Sequence, residues 1–242
     1  MRYGIFADIH SNIEALEAVL TALESENIDK YLCVGDVIGY AANPCECIKR
    51  VKEIASVCVA GNHDWAAIGK FNLDFFNPLA KTAIVKNSLK LSEEDKKFLD
   101  SLKLTYENED LTLVHGTLQD AASFHYLRGE FEAVWTCRLM ETPVCFVGHT
   151  HIPQIFEFRN YSSISELFTS ELRIEANNKY IVNVGSVGQP RDNDSRACYC
   201  VFDAEKGEIS LKRSGYDIKG AQGEMLKAGM PEFLARRLTF GQ

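Results

Sequence analysis

No stretch of this 242-residue chain approaches the roughly 18 apolar residues that a membrane-spanning helix needs. Its start, Met1-Arg2-Tyr3-Gly4-Ile5-Phe6-Ala7-Asp8, puts a carboxylate where a secretory signal would be apolar. Both absences point to a cytoplasmic protein with no membrane partner. Basic clusters are missing too: lysines and arginines gather only in pairs such as Lys49-Arg50, Lys96-Lys97 and Arg236-Arg237, and the formal net charge is -8. Nonspecific nucleic-acid binders draw their affinity from clustered cations, so a long nucleic acid is not an expected partner. The eight cysteines contain no C-x-x-C. They read as small buried apolar residues kept reduced. No linker, repeat or low-complexity tract divides the sequence, so residues 1–242 read as a single domain. At that length the core needs no structural metal, and any metal present would serve chemistry.

What is there has a regular phrasing. In the first 150 residues a short apolar strand, a polar turn and a helix recur, with strands expected at 2–7, 30–34, 56–60, 111–114 and 144–147. The helix after the first strand is expected to start from a Ser11/Glu14 capping box and to bury Ile13, Leu16, Leu20 and Leu23. Beyond residue 150, strands separated by turns are expected at 154–158, 171–175, 180–184, 197–202 and 209–213, with helices returning at 217–227 and 231–238. The alternation implies a layered α/β fold of two sheets packed face to face with helices outside.

Five of the six histidines, His10, His63, His115, His149 and His151, follow an expected strand directly, beside Asp, Asn and Gly. Ligands of open α/β sheets collect beyond the carboxyl ends of the strands. Asp8-Ile9-His10, Gly35-Asp36, Gly61-Asn62-His63-Asp64, His115-Gly116 and Gly148-His149-Thr150-His151 would thus meet at one place. Taken singly each is an ordinary turn; together they offer imidazole, carboxylate and amide donors, without thiolate, for a divalent transition metal. In an extended segment residues two apart point the same way, which would pair Asp8 with His10 and His149 with His151. Glycines 35, 61, 116 and 148 would supply positive φ or close backbone approach. Seven candidate donors (Asp8, His10, Asp36, Asn62, His115, His149, His151) are too many for one tetrahedral ion but suit two ions that share a carboxylate.

This ordered set, spanning residues 8 to 151, resembles the calcineurin-like metallophosphoesterases. The resemblance implies a four-layer α/β/β/α sandwich. It implies that Asp8, His10 and His151 hold one divalent ion, that Asn62, His115 and His149 hold a second, and that Asp36 bridges them. It also implies that His63 is a catalytic residue facing the substrate and not a ligand. The donor set suits Mn, Fe, Zn or Co comparably. Protein Ser/Thr phosphatases of the superfamily carry Gly-Asp-x-Val-Asp-Arg-Gly; Gly35-Asp36-Val37-Ile38-Gly39-Tyr40-Ala41 lacks the second Asp and the Arg, which leaves open what orients His63, with Asp64 as the nearest candidate or simply the cap of a turn. Asn12, Tyr40, the run from Gly185 to Arg191 and the closing run from Gly229 to Leu238 are closer to a small bacterial and archaeal phosphodiesterase-like branch that includes dinucleoside polyphosphate hydrolases.

The implied reaction is hydrolysis of a phosphate ester or anhydride by a metal-bridging hydroxide, with a small nucleotide or dinucleoside polyphosphate as substrate. The absence of a G-x-S-x-G elbow agrees with a route without a covalent intermediate. Asn12, Tyr40 and Arg191 are the candidate substrate contacts, with an Arg191 ion pair to Asp192 or Asp194 as the bland alternative. His125, Tyr126 and Arg128 read first as an exposed loop and second as a substrate rim. A phosphomonoesterase on the same site and a noncatalytic metal-binding scaffold remain as alternative functions.

Overall fold

The computed structural model describes residues 1–242, with twelve strands and eight α-helices. In chain order the strands are β1 (Arg2–Phe6), β2 (Lys30–Cys33), β3 (Ala55–Cys58), β4 (Thr105–Glu107), β5 (Thr112–Val114), β6 (Val144–Val147), β7 (Gln154–Arg159), β8 (Ser163–Leu167), β9 (Glu171–Arg173), β10 (Lys179–Asn183), β11 (Ala197–Asp203) and β12 (Glu208–Ser214). The helices are α1 (Ile13–Glu24), α2 (Pro44–Ile54), α3 (Asn62–Ala67), α4 (Pro78–Ser88), α5 (Glu93–Ser101), α6 (Glu130–Leu139), α7 (Ile218–Lys227) and α8 (Glu232–Arg237). They build two mixed six-stranded sheets, ordered β3-β2-β1-β11-β12-β9 and β4-β5-β6-β10-β7-β8. No helix is long and apolar enough to cross a membrane.

Strand alternation decides the layers, because successive side chains leave opposite faces. On β1, Tyr3 and Ile5 enter the space between the sheets, where they join Leu32, Leu113, Phe146, Val182 and Phe202. Phe6 faces the other way, into a core with Leu16, Leu20 and Leu23 of α1, Ile48 and Val51 of α2 and Leu99 of α5. On the second sheet Cys145, Val147, Phe156 and Ile181 turn outward against Ala133 and Cys137 of α6. The result is an α/β/β/α sandwich. All eight cysteines are free and none is exposed.

The expected strands of both halves are present, with boundaries moved by one or two residues. Two strands escape the sequence pattern: β4 and β8 lie at the edges of the second sheet and carry polar residues such as Glu107, Ser163, Ser165 and Glu166. The start of α1 differs as well. Asn12, not Ser11, is the N-cap, its Oδ1 accepting from the Ala15 amide at 3.1 Å. The Ser11 hydroxyl instead donates to Asn87 Oδ1 at 2.7 Å and accepts from the Gly39 amide at 3.1 Å, tying α4 to the loop after β2.

Candidate metal centre

The loops after β1, β2 and β3 of one sheet and after β5 and β6 of the other converge on one buried cluster. Asp8, His10, Asp36, Asn62, His63, His115, His149 and His151 are all at most 7% exposed. Asp8 Oδ1 lies 3.6 Å from His10 Nε2, 3.4 Å from His151 Nε2 and 3.9 Å from His115 Nε2. Asp36 Oδ2 lies 3.6 Å from His10 Nε2 and 3.3 Å from His115 Nε2. Two ligand atoms about 2.1 Å from one cation sit roughly 3.0 to 3.4 Å apart, so these spacings suit shared coordination. The donors form three close groups, Asp8/His10/His151, Asp36/His115/His149 and His10/Asp36/His63.

Tautomers follow from the backbone. His10 Nδ1 donates to the Ile38 carbonyl (3.1 Å), His115 Nδ1 to the Val34 carbonyl (2.7 Å) and His151 Nδ1 to the Gln189 carbonyl (2.6 Å). A carbonyl only accepts, so each ring donates from Nδ1 and turns its Nε2 to the cluster, where the neutral ring offers a lone pair. His10 Nε2 and His151 Nε2 then face each other at 2.9 Å, lone pair to lone pair, an arrangement that suits a common cation and not a hydrogen bond. Asp8 Oδ1, Asn62 Oδ1 and His115 Nε2 are buried with no hydrogen-bond partner. Buried polar atoms are rarely left so, and orphans converging from separate loops fit divalent ions.

Backbone strain marks the same residues. Asp8, His10, Asp36, His149 and His151 all have φ between +50° and +69°. The extended alternation expected at these strand ends is therefore absent; left-handed backbone on the donors themselves turns them inward, at a cost of about 1 to 3 kcal/mol each where the residue is not glycine. Of the four glycines singled out in the sequence, only Gly35 has a positive φ (+86°). Gly61 serves by size, since a Cβ there would lie 2.0 Å from Asp36 Oδ1.

Asp64 does not orient His63. Its Oδ2 accepts from the amides of Asp36 (2.9 Å) and Gly61 (3.0 Å) and its Oδ1 from the amide of Ile38 (3.2 Å), so it fastens the loop that carries Asp36. Burial and the neighbouring Asp36 carboxylate push its pKa up to about 7 despite these donors. Asp64→Asn turns an N–H toward an N–H, and we expect a loss of roughly 2 to 3 kcal/mol, read as a lower urea midpoint. An unchanged midpoint would contradict this fastening role.

The His63 ring is held by packing. It lies 4.7 Å from both His10 and Tyr40 and 5.0 Å from Phe76, centroid to centroid, and its Nδ1 is buried without a partner. Burial lowers its pKa to about 3, leaving it neutral near pH 7. Burial also works to lower the pKa of His115, but the Asp36 and Asp8 carboxylates outweigh it and raise the value to about 10. The Asp36–His115 pair thus holds a proton that a cation would displace. Burial opposes ionisation of Asp36 as well, and the imidazoles around it, His115 foremost, bring its pKa below the usual range.

The three candidate substrate contacts diverge. Tyr40 lies against His10 and His63 in the cleft wall. Arg191 is half-buried, its guanidinium 5.4 Å from the centroid of the Tyr40 ring, with Nη2 donating to Gln189 Oε1 at 2.9 Å. Neither aspartate beside it is its partner: Asp192 pairs with Arg213 and Asp194 with Arg196. Asn12 is completely buried, with its Nδ2 donating to the Gly188 carbonyl at 2.9 Å and its Oδ1 spent on the α1 cap. Its side chain thus supports the loop. The loop 125–128 is more than a surface turn: Tyr126 stacks on His149 at 3.9 Å, and the Arg128 guanidinium lies 4.4 Å from the Tyr126 ring centroid. Sequence reading also passed over Phe71, Phe75, Phe76 and Phe124, which line the cleft. For Phe71, Phe75 and Phe76 the signal was the density of aromatic residues in the turn-rich segment after α3; Phe124 lies outside that segment.

A family model of the calcineurin-like phosphoesterase superfamily domain matches residues 1–207. An uncharacterized protein of Methanocaldococcus jannaschii is 36% identical over 244 residues, covering 99% of this chain and 98% of that one. Among solved structures, a metallophosphoesterase from Sphaerobacter thermophilus superposes with a TM-score of 0.86 at 36% identity, covering 100% of this chain and 99% of that one. A hypothetical protein from Pyrococcus horikoshii OT3 shares the fold at 19% identity, with a TM-score of 0.80 and coverage of 100% and 98%.

Proposed function

Since the chain belongs to the calcineurin-like phosphoesterase superfamily and is thereby a metal-dependent phosphoesterase, we propose that it hydrolyses small phosphodiesters or dinucleoside polyphosphates at a dinuclear centre. The observation that carries this reading is the set of inward-facing Nε2 atoms and orphaned oxygens converging from five loops. Asp8, His10 and His151 would hold one ion, Asn62, His115 and His149 the other, and Asp36 would bridge. Divalent ions there would polarise a phosphoryl oxygen and make water a competent nucleophile at neutral pH.

The remaining residues do the positioning. The Arg191 guanidinium, bonded to Gln189 through Nη2 but with a buried unpartnered Nε, would receive a nonbridging phosphate oxygen. Tyr40 supports it from beneath and fixes His63 from the side. His63, free of any orienting carboxylate, would donate an N–H to the oxygen of the leaving group. A chain with net charge -8 can accept such an anion because the ions would gather positive charge in one crevice.

Metal analysis combined with a substrate screen tests this. With Mn²⁺ added, bis-p-nitrophenyl phosphate should turn over at least about tenfold faster than p-nitrophenyl phosphate, and chelation should abolish turnover until Mn²⁺ is restored. Preference for the monoester would favour a phosphomonoesterase. Two bound ions with no turnover of either compound or of diadenosine tetraphosphate would favour the noncatalytic scaffold.

A further inference from the structure

Beside His63 the cleft opens into a cavity of about 400 Å³, within the range of small-ligand sites. Its wall is aromatic. Phe71 lies at the middle, its ring centroid 5.4 Å from Phe75, 5.9 Å from Phe76 and 5.2 Å from Phe124. Phe76 meets the His63 ring edge-on, which joins this wall to the catalytic cluster. No Asp, Glu, Lys or Arg lines the cavity. Among its polar lining, Asn77 accepts from the Leu79 and Ala80 amides and Ser123 donates to Asp120, while Asn62, His63, His125 and His149 supply an amide and imidazoles.

Two features separate this wall from ordinary core. Phe75 is 77% exposed, so a large apolar ring stands in water at the mouth of the cavity. Phe124 is held in the left-handed region at φ 49°, a costly conformation for an aromatic residue, and its ring is thereby buried against Trp65 and Phe71. Both features cost the free protein stability, and Phe75 puts aromatic surface where a bound ring would cover it. The cations lie elsewhere: Arg128 and Arg191 line a second cavity that shares only Tyr126 with the first.

We propose that the aromatic cavity receives the leaving group of the substrate, and that this group is a neutral planar alcohol, a nucleoside or an aryl alcohol, and not a phosphate. The inference rests on the phosphoesterase reading above and narrows it from esters and anhydrides to esters. Water oxygen bonds to phosphorus, the bond from phosphorus to the ester oxygen breaks, and that oxygen leaves with a proton as the alcohol. A ring in this position stacks on Phe71 and Phe75 and keeps its oxygen beside His63. A phosphate leaving group would carry negative charge against a largely aromatic wall that holds no lysine or arginine.

Titration calorimetry of the Mn²⁺-loaded protein with two non-hydrolysable phosphonates tests the assignment. Benzylphosphonate carries a ring beyond a methylene that stands where the ester oxygen would be, and ethylphosphonate lacks the ring. Wild type should bind benzylphosphonate at least about tenfold tighter. Phe75→Ala and Phe71→Ala should each narrow that ratio to about threefold or less without changing the ethylphosphonate affinity. Phe233→Ala, an exposed ring on α8 outside the cavity, should leave the ratio intact. Equal affinities in wild type, or a ratio unmoved in both cavity variants, would overturn the proposal while turnover of the diester left the phosphoesterase reading standing. A kcat/KM for diadenosine tetraphosphate above that for bis-p-nitrophenyl phosphate would overturn the restriction to esters. Binding of neither phosphonate, with no turnover, would remove the phosphoesterase reading and this inference together.

Discussion

Asp36→Asn should strip the protein of at least one of two metal equivalents and lower kcat by more than about a thousandfold. The substitution is close to isosteric, and asparagine tolerates the left-handed backbone that Asp36 occupies at φ 53°. Asp36 Oδ1 accepts from the His63 amide at 2.9 Å, so an asparagine keeps that bond by placing its carbonyl oxygen there. Its NH₂ group then takes the position of Oδ2, between His10 Nε2 and His115 Nε2, where a cation would be repelled. The loop is preserved and the charge is lost, which separates the bridging role from a folding role. Elemental analysis after gel filtration reads the metal content directly. A second reading comes from thermal unfolding: ligands bound only by the native state stabilise it by mass action, so chelation should lower the wild-type midpoint on the order of ten degrees and the variant much less. Two full equivalents retained in Asp36→Asn would eliminate the bridge.

How much of this was legible in the sequence depended on the kind of interaction. Strand ends were, because the apolar runs that form β1, β2, β3, β5 and β6 stop at residues such as Asp8 and His115 whose chemistry has no place in a core. The division of those strands between two sheets was not, since hydrogen-bond partners such as β1 with β11 are nearly 200 residues apart and leave no local pattern. The Asn12 cap was hidden for a similar reason: Ser11 satisfies the local capping rule, but its hydroxyl is drawn to Asn87, 76 residues away. The left-handed donors ran against expectation because glycine was assigned the strain that the sandwich imposes on Asp8, His10, Asp36, His149 and His151 themselves. The aromatic wall was missed because Phe71, Phe75 and Phe76 lie between α3 and α4, outside any α-helix or strand, and only the fold brings Phe124 to meet them.

The role of His63 is the point at which family likeness and geometry make different offers, and a single variant separates them. Its ring nitrogen is close enough to His10 and Asp36 to count as a third metal-binding group, whereas the resemblance makes it a substrate-facing residue. If it donates a proton or hydrogen bond to the departing oxygen, His63→Ala should keep the wild-type metal content while turnover falls by about 10² to 10⁴. The fall should depend on the leaving group. p-Nitrophenolate departs with little help, so the loss on bis-p-nitrophenyl phosphate should be the smaller one, and a diester with a nucleoside alcohol as leaving group should show the larger. A ligand would behave differently on both counts, because losing it removes metal and slows every substrate alike. The surroundings favour the first outcome. His63 Nδ1 has no carbonyl to fix its tautomer, unlike His10, His115 and His151, and its neighbours are the rings of Tyr40 and Phe76 at the entrance to the cavity that would take the alcohol. Reduced metal content in His63→Ala, with an equal loss on both diesters, would instead move His63 into the coordination sphere and leave protonation of the leaving oxygen to water.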